Sequence, residues 1–303
     1  MVRYAYFPGC VGQDSCKELD MSTKLICQEL GLEIVELEEA TCCGAGFVQD
    51  VDYDLATVLN ARTFAMAEAL GLDLMTVCST CQYNLAKANF ELKKDAERLA
   101  MVNRHLAEVG LKYSGNVKVK HILQVLTEDI GLETIARHVT VDLGELNIGS
   151  FYGCQLLRPS EILQWENADN PQSFERVITA IGAKPVYYKG RSKCCGFPIT
   201  FVNEKASMTM NYRNMAEALD KGADALATSC PLCHINLDMY QRQAEKIGGK
   251  GKELNLPILH LPQIVGLAFG IDPEELGLKR HLVPTQNVVD LARKKGEAPQ
   301  AAH

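Results

Sequence analysis

Basic charge is scarce in this chain. Lys and Arg number 31 against 38 Asp and Glu, for a formal net charge of −7. A nucleic-acid binder would carry a clustered basic stripe, so no nucleic-acid partner is expected. Long apolar runs are also missing. The segment from Val2 to Phe7 is too short for the core of a secretion signal before Pro8-Gly9 interrupts it. The longest run, Leu256 to Ile271, is broken by His260, Pro262 and Gln263 and falls short of a membrane span. These two absences predict a cytoplasmic protein with no membrane span. The close-set ferredoxin run C-x2-C-x2-C-x3-C is missing as well. With 303 residues and 47% hydrophobic content, the chain can build one large or two ordinary domains without disulfide staples.

What the chain does have is cysteine, 12 residues of it. In a protein expected to be cytoplasmic these point to metal or redox chemistry rather than structural disulfides. Ten fall into two matched sets of five. The first is Cys10, then Cys42-Cys43-Gly44, then Cys78-x-x-Cys81; the second is Cys154, then Cys194-Cys195-Gly196, then Cys230-x-x-Cys233. The gaps are 31 and 34 residues in the first set and 39 and 34 in the second. Core packing does not specify such spacing. Thiolates are the soft ligands of zinc and of iron–sulfur clusters, and either centre takes four where each set offers five. Adjacent cysteines on extended backbone point apart, so a turn at Gly44 or Gly196 is needed to bring both to one centre.

Strands and helices alternate along the chain. Short strands are expected at Arg3 to Phe7, Leu32 to Leu37, Asp73 to Val77 and Val117 to Lys120. Helices are expected over Ser15 to Leu30, Tyr53 to Leu70, Gln82 to Val109 and His121 to Ile130. The plan repeats with strands at Ile148 to Tyr152, Pro185 to Tyr188, Ala223 to Thr228 and Leu256 to Leu259. Its helices cover Phe174 to Ile181, Glu204 to Leu219 and Leu261 to Phe269. Met-Ala-Glu-Ala-Leu occurs at 66–70 and at 215–219, Asn60-x-Arg62 matches Asn211-x-Arg213, and His121-Ile-Leu-Gln-Val matches His260-Leu-Pro-Gln-Ile. The expected fold is therefore α/β, with two duplicated domains at 1–147 and 148–290, each a small mostly parallel sheet flanked by helices, and a flexible tail at 291–303. All three cysteine clusters of each repeat follow strands, so they should converge at the carboxyl edge, where ligands of such sheets gather.

The frame Cys, Cys-Cys-Gly, Cys-x-x-Cys, present twice and complete, resembles the cysteine-rich CCG domains of the heterodisulfide reductase B-subunit. The resemblance runs from Cys10 through Cys233 and beyond. It implies that Cys10, Cys42, Cys43, Cys78 and Cys81 hold one non-cubane 4Fe-4S cluster and that Cys154, Cys194, Cys195, Cys230 and Cys233 hold another, the two facing one disulfide substrate. Reducing a disulfide takes two electrons and a cluster normally passes one, so a pair of clusters suits the task; run backwards, the site would join two thiols. No G-x-G-x-x-G follows an expected strand, so no flavin or nicotinamide is expected in this chain and electrons must come from partners. The resemblance implies a ferredoxin-domain C-subunit, together with a flavin-bearing A-subunit. The segments Cys42-Cys43-Gly44-Ala45-Gly46 and Cys10-Val-Gly-Gln-Asp-Ser-Cys16 look more like the homologues of bacterial sulfur oxidation. Two other readings stand beside this one: an electron-relay iron–sulfur subunit of a lactate- or glycolate-type hydroxy-acid oxidoreductase, and a zinc-bound scaffold, with zinc at one site or both.

The remaining candidates are weaker. Cys16 and Cys27, 11 residues apart, would sit roughly 16 Å apart along one helix and cannot bridge; they read as core filler. Lys189, Arg191 and Lys193 precede the second cysteine pair and Arg158 follows Cys154. They read either as solvated loop charges or as cations that receive an anionic thiol. His121, His234 and His260 read as capping or core residues, or as proton donors to a departing thiolate. The stretch from Trp165 to Pro171 lengthens the second repeat and is expected at the substrate entrance or at a contact between subunits.

Overall fold

The computed structural model of the chain describes residues 2–248 and 251–294. Each half builds one four-stranded sheet, and every strand in both sheets is parallel to its neighbours. In the first half the strands are β1 (Arg3–Phe7), β2 (Glu33–Glu36), β3 (Leu74–Thr76) and β4 (Val119–His121), in the order β2-β1-β3-β4. A two-residue strand, β5 (Val141–Asp142), follows. The second half repeats the plan with β6 (Asn147–Phe151), β7 (Lys184–Val186), β8 (Ala225–Thr228) and β9 (Ile258–His260), in the order β7-β6-β8-β9. The α/β expectation of two small duplicated sheets flanked by helices therefore holds.

Strand order reverses between β1 and β3, and between β6 and β8. In open parallel sheets that reversal opens a crevice at the carboxyl edge. The inner strands are buried along nearly their whole length, as sheets covered on both faces require. The registers Tyr6↔Met75 and Ser150↔Ala227 carry Cys78 and Cys230 to the same level in their two halves.

The halves pack against each other through helices of both. Helix Lys17–Glu29 of the first half lies on Leu261–Phe269 of the second, while Ser173–Ala180 of the second lies on Leu132–Arg137 of the first. Both buried apolar clusters draw side chains from both halves: Tyr6, Ile26, Phe174 and Val265 in one, Phe7, Phe64, Phe151 and Met215 in the other.

Several elements depart from expectation. The stretch expected as one helix over Gln82 to Val109 is two, Ser79–Lys94 and Ala96–Ala107. Asp95 sits between them in extended backbone, and its carboxylate accepts from the Arg98 amide at 2.9 Å. A residue that caps a new helix so well ends the old one. The first helix starts at Lys17 rather than Ser15, behind a separate turn at Gly9–Gln13. Helices Pro231–Met239 and Gln241–Gly248 were not expected at all. Of the expected tail, Leu291 closes a short helix and β10 (Arg293–Lys294) pairs antiparallel with β5; residues 295–303 lie outside the described residues.

Candidate metal centre

The carboxyl edges of the two sheets face each other, and all ten frame cysteines collect there. In the first set Cys10 Sγ lies 3.7 Å from Cys42 Sγ, and Cys43 Sγ lies 3.5 Å from Cys81 Sγ. In the second, Cys154 stands beside Cys194 and Cys195 beside Cys233. Each set has an open side and a closed one. Cys10 and Cys42 are exposed and Cys154 and Cys194 half-buried, whereas Cys43, Cys78, Cys81, Cys195, Cys230 and Cys233 are buried. The sets meet at their closed sides: Cys78 Sγ is 3.9 Å from Cys230 Sγ. All ten are free thiols.

The backbone is shaped to bring these sulfurs together. Gly9 and Gly153 precede the first cysteine of each set with φ of +76° and +67°. A Cβ there would stand 3.0 Å from Cys81 Sγ and 3.1 Å from Cys233 Sγ, so only glycine lets the strand end pass that close. Backbone amides of Gly44 and Gly196 donate to Cys42 and Cys194 Sγ at 3.4 Å, and the Phe197 amide donates to Cys195 Sγ at 3.4 Å. A hydrogen bond from Cys10 holds the Cys42 thiol far below its ordinary range, and one from Cys154 does the same for Cys194. Cys230 is lowered by its hydrogen bonds to Cys233 and Cys78. The other seven frame thiols are raised by hydrogen bonds to neighbouring cysteines and by burial. Each set thus offers one or two thiolates, and a bound metal would displace the remaining protons. Soft donors, buried and crowded, with amide dipoles aimed at them, fit a thiolate-held metal or iron–sulfur centre.

Two asparagines that sequence reading missed clamp the cysteine pairs. Asn84 donates to Cys43 Sγ at 3.9 Å, and Asn236 donates to the Cys195 carbonyl at 2.7 Å. The signal was in view, because both occupy the last position of Cys-x-x-Cys-x-x-Asn. The matched pair Asn60 and Asn211 does not act alike. Asn60 donates to the Cys43 carbonyl at 3.2 Å, while Asn211 binds the Asn236 carbonyl and its neighbour Asn214 takes the Cys194 carbonyl.

The histidines are placed as follows. His121 accepts from the Leu123 amide at Nδ1, which leaves Nε2–H to donate to the Ser229 carbonyl at 2.9 Å. It ties the first half to the residue before Cys230, and burial pushes its pKa down to about 4. His234 and His260 are both buried, with rings stacked 4.2 Å apart.

The candidate cations separate into two kinds. Arg191 is buried and committed: it pairs with Glu175 and donates to the Pro171 carbonyl at 2.8 Å. Lys189 and Lys193 are exposed, and Arg158 reaches the Ser192 and Ala168 carbonyls and Asp169 at the surface. An open groove between Tyr83 of the first half and Arg158, Glu161 and Asp169 of the second runs to Cys154. Continuing inward, a small cleft walled by Phe197, Leu232 and Thr80 reaches Cys194 and Cys230. Part of the lengthened segment, Ala168 and Asp169, therefore stands at this entrance.

Comparison with known proteins agrees with the geometry. The family model described as "Cysteine-rich domain" matches twice, at residues 4–86 and 148–238. The 8-methylmenaquinol:fumarate reductase membrane anchor subunit of Wolinella succinogenes is 39% identical over 92% of this chain and 96% of its own length. The B-subunit of the ferredoxin/F420H2-dependent CoB-CoM heterodisulfide reductase of Methanosarcina acetivorans is 33% identical over 97% of both chains. A protein of Archaeoglobus profundus that is like the heterodisulfide reductase B-subunit is 32% identical over 91% of this chain and 93% of its own length. Among solved structures, a hypothetical protein from Helicobacter pylori superposes with a TM-score of 0.75 at 20% identity, over 93% of this chain. This chain spans about half, 52%, of that protein, and the likeness shows the fold. No described helix is long and apolar enough to cross a membrane. With its cysteine-rich domain present twice and near-full-length relatives of that name, the chain belongs to the family of heterodisulfide reductase B-subunits.

Proposed function

We propose that this chain is the subunit of a heterodisulfide-reductase-like complex at which a disulfide is reduced or a pair of thiols oxidised. In this reading Cys10, Cys42, Cys43, Cys78 and Cys81 hold one non-cubane 4Fe-4S cluster, and Cys154, Cys194, Cys195, Cys230 and Cys233 hold the other. The observation that carries it is the 3.9 Å approach of Cys78 to Cys230, which puts both quintets within reach of a single S–S unit. The clusters, when bound, supply single-electron steps, two of which with two protons convert a disulfide into two thiols. The chain's own residues supply the rest. Amides at Gly44, Gly196 and Phe197 stabilise the ligating sulfurs, Phe197 and Leu232 keep water from the inner cleft, and the groove past Arg158 admits a small thiol or disulfide.

Partners follow from the lack of any nucleotide fingerprint in the chain. A ferredoxin-domain C-subunit, with a flavin-bearing A-subunit, would exchange electrons with it. Phe47 and Val51, just after the first cysteine pair, and Phe201 and Val202, just after the second, are between 74% and 86% exposed. Apolar side chains left open beside both thiol sets suit the docking of such partners. Free thiols throughout the chain suit a reducing compartment such as the cytoplasm.

A second reading has its own support. The 39% identity to one subunit of a menaquinol:fumarate reductase favours an electron-relay role in a quinol-linked complex. A zinc scaffold is the third, since thiolates about 2.3 Å from zinc stand roughly 3.8 Å from each other, near the spacings here. The test is anaerobic purification, iron and sulfide analysis, then electron paramagnetic resonance while thiols, disulfides and quinols are added. About eight irons per chain and a signal that appears with one thiol support disulfide chemistry. Response to quinol alone moves the chain to the relay class, and zinc without iron ends both.

The exposed cations give a narrower expectation. Lys193→Ala together with Arg158→Ala should raise KM for an anionic thiol or disulfide about tenfold, the loss expected when a charge-assisted contact goes, with kcat nearly unchanged. Equal KM in wild type and variant would remove these residues from substrate binding.

A further inference from the structure

Outside the ten frame cysteines, a second set of donors is gathered in the core. Cys16, Glu18, His234 and His260 are all buried, and one ligand atom from each lies within 4.8 Å of the others. Cys16 and Glu18 belong to the first half; His234 and His260 belong to the second. Glu18 and His260 stand 242 residues apart in sequence.

The hydrogen bonding around this group is incomplete in a telling way. His234 Nε2 contacts the Ile258 carbonyl at 3.1 Å, so the proton sits on Nε2 and the lone pair on Nδ1. That Nδ1 is buried without a partner, as is Nδ1 of His260. The matching position in the first half, Gln82, serves the matching carbonyl, that of Val119, at 3.0 Å, so strand anchoring does not call for an imidazole. His121, the counterpart of His260, has Nδ1 satisfied by the Leu123 amide. The counterpart of Leu123 is Pro262, which has no N–H to give. His260 faces Glu18 with Nε2, so Nε2 is its ligand atom and the unpartnered Nδ1 carries the proton. Nε2 and Glu18 Oε1 are 3.4 Å apart. That is long for a charge-assisted hydrogen bond, at about 2.8 Å. It is close to the separation of N and O ligands around one tetrahedral ion with bonds of about 2.0–2.1 Å, roughly 3.3 Å.

We propose that Cys16, Glu18, His234 and His260 form a divalent metal site, of the kind zinc occupies, that clips the two halves of the chain together. The donor set of one thiolate, one carboxylate and two neutral imidazoles is charge-balanced against a 2+ ion, with the Cys16 proton released to solvent. Arg280 holds the other Glu18 oxygen at 3.0 Å and orients it, as outer partners of ligating carboxylates do. His281 contacts His234 Nε2 at 2.8 Å and fixes that ring in turn. The stacked His234 and His260 rings need one of them to turn about χ2, a broad and soft torsion, to bring both ligand atoms in plane with the ion. The four donors are distinct from the ten frame cysteines, although His234 follows Cys233 directly and Cys16 Sγ lies 4.0 Å from the Pro231 carbonyl.

The experiment is anomalous diffraction at the zinc edge from crystals of the full chain purified anaerobically with its clusters, with metal analysis of the same preparation. The expected result is one zinc per chain, with its peak among these four residues. Cys16→Ala and His260→Gln should each lose that zinc while the iron content stays at the wild-type value. Chelation should lower the Tm of wild type and leave that of Cys16→Ala unchanged. A map without density at this position, or zinc retained in full by a folded Cys16→Ala chain, overturns the proposal. The map on wild-type protein decides even if His260→Gln does not fold.

Discussion

Replacing Arg191 with alanine is expected to destabilise the protein by about 3–5 kcal/mol, the usual penalty for stripping a buried ion of its partner. Glu175 is 1% exposed, and its carboxylate accepts from Ser150 Oγ at 2.5 Å, from Tyr152 OH at 2.6 Å and from Arg191. Without Arg191 a carboxylate would remain in the core with neutral donors only. Arg191→Met combined with Glu175→Gln should recover much of the loss, because it removes both charges and keeps one acceptor oxygen, while the Ser150 hydroxyl can turn to accept from the new amide N–H. The damage should be uneven. The Tyr152 amide donates to the Arg191 carbonyl at 2.8 Å, and Gly153-Cys154 come next in the chain. The second thiol set should therefore lose its centre before the first. Chemical denaturation of the three proteins measures the effect. If Arg191 were instead a substrate cation, its variant would show an unmoved midpoint and a raised KM.

That reversal shows what sequence alone conveys. A run of Lys189, Arg191 and Lys193 reads as a charged loop, and two of the three are exposed as such. The third is buried because Glu175 waits on a helix whose position against the loop is set by tertiary packing. The same limit hid the cluster around His260. Its donors come from two halves brought together by helix Lys17–Glu29 lying on Leu261–Phe269, and no local pattern links Glu18 to His260. Cys16 read as core filler for that reason; it is buried as expected, but beside ligand-type neighbours. The cysteine frame was legible because duplication writes the same spacing twice and because each cluster follows a strand, so topology alone brings the sulfurs to one edge. The two parallel sheets followed from the same alternation, whereas the order of strands within them is a matter of tertiary packing. The break at Asp95 was missed because helix-favouring residues flank it, and one capping side chain outweighs them.

Replacing Cys230 with serine should have the largest effect on activity. Cys230 is the sulfur at which the two sets touch, 3.9 Å from Cys78 and 3.6 Å from Thr80 Oγ1. Like those of Cys42 and Cys194, its thiol is lowered by hydrogen bonds to two neighbouring cysteines, here Cys233 and Cys78. Serine keeps the size but is a hard, protonated donor, ill-suited to iron–sulfur ligation. Iron should fall from about eight to about four per chain. Disulfide turnover should fall about a hundredfold or more, beyond what loss of an outer partner costs a metal site. Cys27→Ser is the control: Cys27 is buried in the apolar core, its thiol pushed up to about 12 by burial alone, and lies outside both sets. It should cost stability and leave the iron content intact. Full iron in a folded Cys230→Ser chain would show that the second quintet is not a ligand set, whereas halved iron with undiminished turnover would show that one cluster suffices and that the meeting of the two sets is not what drives the reaction.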